Sequence, residues 1–336
     1  MARILVFDLE NRIAGEVHAA VNRGWAISDG DMATFTLTDV EALLPCMQLG
    51  RMVFVDGAGK VPNWSGMIDT PWSAVSPVVV TAYDIPYLMS RRCPYFADIQ
   101  KGDVRKVALR FVQLANQLGD LFLREGEMVT GDPEKSVDVN STSDWAQLKT
   151  LVTNAGMEIQ FRSEINTERR LVHYLDLQKQ LGSVTPVVLQ DGDNGNMQIV
   201  NASLDGEYWN AVMGINNAST GSSRLTSQIV IDQASVDDYR MRNRVEQFNT
   251  ASQSELQTYT DNFVKANGKP RLKLQVGVRD TKTLFSQVRL GNVFTVRATK
   301  VILPGGRKGW SGQARAWAMN YDESANQLTM ELEGEL

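Results

Sequence analysis

Apolar and polar residues alternate from Met32 to Thr38, with Ala33, Phe35 and Leu37 on one face and Thr34, Thr36 and Thr38 on the other. Period-2 alternation of this kind predicts a half-buried strand. A short helical turn is expected at Asp39–Leu44, ended by Pro45, followed by a strand at Arg51–Val55. Asp56-Gly57 with Gly59 is a hairpin signal that leads into Trp64-Ser65-Gly66-Met67-Ile68. Met1–Asp8 reads as a strand before this group and Val78–Ala82 as one after it. Together they describe one small twisted barrel. A related pattern returns near the end of the chain, from Leu290-Gly291-Asn292-Val293-Phe294-Thr295-Val296 to Trp310-Ser311-Gly312-Gln313-Ala314.

The middle of the chain has a different period. Val104, Val107, Ala108, Phe111, Leu114, Ala115, Leu118, Leu121 and Phe122 fall on one face at 3.6-residue spacing and predict the clearest helix. A polar link, Glu125–Lys135, precedes a second helix with Ser141 and Asp144 as a capping box, Trp145, Leu148, Leu151 and Val152 as its apolar face, and Gly156 as its stop. Met157–Arg162 and Arg170–Asp176 read as the arms of a hairpin. Strands are then expected at Asn196–Val200 and Asn210–Ile215, and a mobile polar loop at Asn216–Ser223. Ser252 and Glu255 cap a helix with Leu256, Tyr259 and Phe263 on its face, ended by Gly268 and Pro270. Four last strands follow, Leu272–Val278, Val293–Val301, Trp310–Tyr321 and Gln327–Leu332, with turns at Gly305-Gly306 and Asp322-Glu323-Ser324. The predicted class is mixed and mainly β. A first barrel (1–84), an inserted α/β module (85–190) and a second barrel (191–336, with a helix near 252–267) account for the chain.

With 336 residues, 43% hydrophobic and 22% charged, the chain is long enough for two or three folded domains and too ordered in composition for a disordered protein. No apolar run approaches the roughly 20 residues of a membrane span, and the N-terminal apolar stretch is too short for a signal peptide. The net charge of −5 argues against a groove that grips nucleic acid, which would carry a basic surplus. Cys46 and Cys93 read as two buried thiols, and neither they nor His18 and His173 have metal-ligand spacing.

Candidate chemistry is sparse. Leu303–Gly309 is glycine-rich and basic but lacks phosphate-loop spacing, and reads as a hairpin tip. Asp191–Asn196 has Gly195, Asn196 and Ala202 where a calcium loop needs other residues, so it reads as a surface turn. Asp237-Asp238 beside Arg240, Arg242 and Arg244 reads as an exposed ion-pair cluster. Glu331 and Glu333 alternate with Met330 and Leu332 as the solvent face of a strand. No catalytic set, metal or cofactor is expected. Most of the seven tryptophans are expected in cores, with stacking on a carbohydrate as the alternative for any one of them.

The order barrel, α/β insert, barrel resembles that of the hub protein of phage baseplates and tail tips, a family shared with contractile injection machines. The resemblance is carried by Ala33–Asp69, Val80–Leu88, Ser143-Asp144-Trp145-Ala146-Gln147-Leu148 through Gly156, Leu171–Asp176, Gly291–Phe294 and the Trp310–Leu332 hairpin. It implies tube-protein-like barrels, and a homotrimer whose six barrels match a sixfold tail tube. It further implies a ring that meets the tail tube or a distal tail protein, the tape-measure end, and tip, spike or receptor-binding proteins. DNA would pass through the lumen without specific binding. The place implied is the virion tail tip, assembled in the host cytoplasm, with no enzymatic activity. No lysin, peptidase or needle domain follows Leu336, so piercing or receptor binding would belong to separate proteins. Interface residues are expected at strand edges, Thr34, Thr36 and Thr38 and Phe294, Val296 and Arg297, and at Arg240, Arg242 and Arg244. A carbohydrate- or receptor-binding tail module is the alternative, and a hydrolase using Asp237, Asp238 or a glutamate pair the third reading.

Overall fold

The computed structural model describes residues 1–37, 47–73, 77–93, 98–117, 119–129, 135–139, 143–216, 224–248, 250, 252–281 and 283–336. Thr38, the expected turn Asp39–Leu44 with Pro45, Cys46, Ser141 and residues 217–223 of the expected mobile loop lie outside them.

The protein is mainly β, as expected. The first six strands are β1 (Ala2–Phe7), β2 (Ile13–Ala26), β3 (Met32–Leu37), β4 (Met52–Val55), β5 (Trp64–Ser73) and β6 (Val78–Tyr83). They run in the order β1-β4-β5-β6-β3-β2, and a β1–β2 ladder closes the barrel. The alternation explains the closure. Ala33, Phe35 and Leu37 of β3 are buried with Val17, Ala19 and Val21 of β2, Ile4 and Val6 of β1, and Val80 and Ala82 of β6.

A second excursion of the chain then begins with α1 (Ile85–Ser90), β7 (Asp98–Gly102) and α2 (Val104–Gln117). It continues through β8 (Leu123–Met128), β9 (Lys135–Val139), α3 (Asp144–Asn154), β10 (Glu158–Ile165) and β11 (Leu171–Gln178). The 3.6-spaced apolar face of α2 is buried. The helix runs to Gln117 among the described residues, so Leu121 and Phe122, expected on it, lie past its end, and Leu118 is outside the described residues. Gly119 takes φ +116 and Phe122 φ +53, and the Asn116 carboxamide oxygen accepts from the backbone of Leu121 and Leu123 instead of letting the helix run on. The cap of α3 is Ser143, whose Oγ accepts from Ala146 N at 3.2 Å, not Ser141. The expected hairpin is β10–β11, extended by β8 in parallel.

The rest of the chain builds a second six-stranded unit. Its strands are β12 (Val184–Gln190) and β13 (Met197–Asp205), and then, after an excursion through β14 (Ala211–Asn216), β15 (Val230–Ile231), α4 (Gln233–Tyr239), β16 (Asn243–Phe248) and α5 (Gln253–Asn267), β17 (Arg271–Val278), β18 (Val293–Ile302), β19 (Lys308–Asp322) and β20 (Gln327–Glu335). β12 lies before the boundary expected at 190, yet it pairs with β18. The ladders run β12-β18-β19-β20-β17-β13. If β12, β13, β17, β18, β19 and β20 are set against β1 to β6 in chain order, this is the strand order of the first barrel. The two units differ at one strand: β12 runs parallel to β18, whereas β1 runs antiparallel to β4. Among the described residues no ladder joins β12 to β13, so the second unit is not sealed as the first is.

One local motif recurs at equivalent places. Trp64 in β5 and Trp310 in β19 are both buried, and each indole lies over the glycine two residues on. A Cβ on Gly66 would come within 2.4 Å of the Tyr83 carbonyl oxygen and 2.5 Å of the Trp64 ring, and one on Gly312 within 2.7 Å of the Trp310 ring. The ring takes the room that the missing side chain leaves, which keeps a large aromatic inside a small barrel. Each strand also carries a bulge a few residues later, between Asp69 and Trp72 in β5 and between Ala316 and Ala318 in β19. Gly66→Ala is expected to lower stability by about 2 kcal/mol, and Gly312→Ala by less, because only the first meets backbone; urea unfolding midpoints of the two variants check the order.

Candidate assembly surface

The two units are joined by one ladder. β19 pairs antiparallel with β2 from Ala318↔Ala26 to Asp322↔Asn22, which makes both units one twelve-stranded sheet. Arg23 sits in this seam, 1% exposed, opposite Tyr321. Its guanidinium lies 3.5 Å from Glu323 and 5.5 and 5.8 Å from the ring centres of Tyr321 and Trp25. Burial pulls its pKa down, against the raising pull of Glu323. The seam is therefore a desolvated joint between two cores, with a charge held between aromatic faces.

Three contacts clamp the inserted segment onto both units. Arg315 of β19 makes a bidentate pair with Glu158 of β10; its Nη2 also donates to the Leu181 carbonyl at 2.7 Å and its Nε to Gly291 at 3.1 Å. The guanidinium stacks 4.9 Å from the Trp317 ring centre. Ser28, just past β2, exchanges backbone and side-chain bonds with Ile159. His173 of β11 is fully buried, with Nδ1 2.8 Å from Ser163 Oγ and 3.3 Å from Ser65 Oγ of β5. Burial pushes this imidazole down to about 3, so it is neutral in the fold.

The expected interface residues are placed unevenly. β3 is flanked by β2 and β6, and β18 by β12 and β19, so neither offers the free edge expected of it. Phe294 and Val296 are each 0% exposed and belong to the second core, so they cannot meet a partner in the folded chain. The alternation that marks a strand does not say which of its faces looks outward. Thr34 and Thr36 are half-buried on the other face of β3, and Arg297 is exposed. Arg240, Arg242 and Arg244 are exposed, and no ion pair among the described residues joins them to Asp237 or Asp238. Arg242 lies 4.2 Å over Tyr208 and donates to the Gly206 carbonyl, Arg244 pairs with Glu246 at 2.6 Å, and Asp237 accepts from Gln233.

The other candidate groups have local duties. Asp191 is buried and accepts from Thr299 N, Thr299 Oγ1 and Lys300 N at 2.9, 2.7 and 3.0 Å, so it ties the turn after β12 to β18. Burial raises its pKa, but these bonds outweigh that and hold it low. Pro304–Gly306 is the tip of the β18–β19 hairpin. Glu331 is exposed and Glu333 pairs with Arg271 at 3.1 Å. Cys93 is exposed, against the expectation of two buried thiols. Trp64, Trp145 and Trp310 are buried, and Trp25, Trp209 and Trp317 are half-buried. Among the described residues no group of histidine, cysteine or acid side chains can hold a metal ion, and no helix is long and apolar enough to cross a membrane. A cleft of about 840 Å³ lies beside Ser28, Glu158, Arg271, Arg315 and Glu333, where Arg315 pairs with Glu158 and Arg271 with Glu333.

Among the described residues β13 has an edge without a ladder, which its sequence does not single out. It pairs with β17 alone among the described residues; Val200, at its bulge, is 57% exposed and Leu204, beyond it, 38%. The signal was present as apolar residues inside a polar stretch, but period alone does not tell an edge from an interior strand.

This fold of paired six-stranded units is found in phage tail proteins. The prophage MuSo2 43 kDa tail protein of Shewanella oneidensis matches with a TM-score of 0.60 at 10% identity, over 99% of this chain and 98% of that one. The prophage tail protein gp18 of Listeria monocytogenes matches with 0.59 at 12%, over 99% and 94%. A type VI secretion system component of E. coli, described as similar to the T4 tail proteins gp27 and gp5, matches with 0.51 at 12%, over 99% and 73%. No protein-family model matches the chain, and no curated protein matches its sequence. At this identity the likeness is one of fold, and it agrees with the resemblance drawn from the order of elements.

Two outcomes follow. Arg315→Ala takes the guanidinium from Glu158 in a 14% exposed site, where the Leu181 N–H still donates to it at 2.6 Å, and is expected to cost about 3 kcal/mol in denaturant unfolding. His173 has a folded pKa below its ordinary value, so the fold loses stability as pH falls from about 6.5 toward 3. His173→Gln removes that proton uptake; between pH 7 and pH 5 it is expected to lose about 2 kcal/mol less than the unsubstituted chain.

Proposed function

We propose that the chain is a structural component of a phage tail, a baseplate or tail-tip hub that closes the tail tube as a trimeric ring. The observation that carries this reading is the repetition of one strand order in both six-stranded units. A chain holding two copies of a ring module gives six modules from three copies, which lets a threefold tip sit on a sixfold tube. The likeness in fold to tail proteins supports the same reading.

In this reading the first unit takes residues 1–84 and the second closes the chain. The α/β insert between them and the excursion between β13 and β17 stand outside the ring, where they are free to meet other tail components. Those partners are the tail tube or distal tail protein, the end of the tape-measure protein, and tip, spike or receptor-binding proteins. Arg240, Arg242 and Arg244 lie on the second excursion and are assigned to such contacts, while Thr34, Thr36 and Arg297 are outward groups of the ring units. A net charge of −5 per chain suits a lumen that lets DNA pass without holding it. The protein would be a virion component assembled in the host cytoplasm, with no catalytic role.

Electron microscopy of the purified protein at high concentration, classified without imposed symmetry, tests this. Threefold particles with an open centre and six similar lobes are expected. A compact monomer at every concentration overturns the self-assembling ring.

A further inference from the structure

The charge of the chain is unevenly spread. From Thr281 to Tyr321 the sequence holds no acid but seven cations, in a protein whose net charge is −5. Two of the seven have duties within the fold: Arg315 pairs with Glu158, and Arg289 donates to the Val288 carbonyl. Lys282 lies outside the described residues. The other four, Arg297, Lys300, Arg307 and Lys308, all belong to the β18–β19 hairpin, and all are exposed.

Register and packing gather the four at one end of the hairpin. Arg297 stands opposite Ser311 and Lys308 opposite Ile302. Arg297 and Arg307 border one hollow of about 430 Å³, together with Thr299, Ser311 and Trp310. Among the described residues no ion pair reaches any of the four cations. Asp191, beside β18, already uses both carboxylate oxygens on Thr299 and on the Lys300 backbone. By order in chain and sheet the counterpart hairpin is β4–β5, and it is different. Between Val55 and Trp64 it has one acid and one cation, and Asp56 accepts from Ala58 N at 2.8 Å within its own turn. The module therefore folds without a basic tip, and only its second copy carries one. Protein surfaces ordinarily mix both signs of charge, and a patch of one sign serves to steer or hold a partner of the other.

We propose that this end of the β18–β19 hairpin docks on an acidic surface of another protein, with Arg297, Lys300, Arg307 and Lys308 as its contacts. Exposed charges of this kind set the rate and orientation of encounter. Duplex DNA fits the patch less well. It is a long polyanion that would run on past the acidic remainder of the chain, whereas a compact acidic patch meets the four cations alone. Ile302, 71% exposed opposite Lys308, also offers an apolar contact that a protein surface can use and a phosphate backbone cannot. The inference goes beyond the ring reading and does not depend on it, because a single chain already presents the hairpin.

A fluorescent hexaglutamate peptide is the probe, added to the full chain at low salt. Carbodiimide joins a bound carboxylate to a lysine in contact with it, mass spectrometry locates the joined lysines, and anisotropy gives the affinity. The peptide is expected chiefly on Lys300 and Lys308. Arg297→Gln together with Arg307→Gln removes two exposed charges; it is expected to weaken binding about tenfold with an unchanged thermal melt. Lys60→Gln, on the counterpart tip, is expected to change nothing. Peptide spread evenly over the lysines, or an affinity that survives the double substitution, overturns the proposal. A duplex DNA fragment that binds more tightly than the peptide, and loses its affinity with the same double substitution, also overturns it and assigns the hairpin to nucleic acid. Should the double variant fail to fold, the coupling map of the unsubstituted chain decides by itself. Whether three copies close a ring is read separately by microscopy, so the two readings fail independently.

Discussion

The ladder between β2 and β19 is the constraint on which the rest of the molecule depends. Without it there would be two separate six-stranded units with two unpaired edges; with it there is one twelve-stranded sheet. Because backbone groups left unpaired away from water are costly, the relative placement of the units is fixed by register, not by a flexible link. Arg23 marks the seam. A buried guanidinium adds little net stability, but between Glu323, Tyr321 and Trp25 it has a fixed geometry that a sliding register would destroy.

The insert makes the joint rigid from outside. Glu158 and Arg315 bridge β10 to β19, His173 and Ser163 reach Ser65 on β5, and Asn262 of α5 donates to Asn154 at the end of α3. A segment that touches both units on one side acts as a strap across them. In the proposed ring, such a strap would hold the two units of one chain at a fixed spacing.

Much of this was legible in the chain. Alternation placed β3, β5 and β18–β20, the 3.6 period placed α2, and Ser252 with Glu255 placed α5 within a residue. The Trp-Ser-Gly pairing in β5 and β19 was visible as related text, and the structure supplies its reason: the glycine is the floor on which the indole rests. Strand β2, the longest of the first barrel, gives no clear period-2 signal, because its polar face and its Gly15 and Gly24 interrupt the alternation. β12 falls on the far side of the expected boundary at 190, because its partner β18 lies more than a hundred residues away and leaves no local mark.

By itself the sequence determined where strands and helices form, that they are mainly strands, and that one module is written twice; these follow from local period and turn chemistry. Only the tertiary structure decided which strands are interior and which are edges. Phe294 and Val296 proved to be core, and β13 pairs with β17 alone among the described residues, because burial is a property of what packs against a strand from far along the chain, and a strand's own residues carry only half of that pairing.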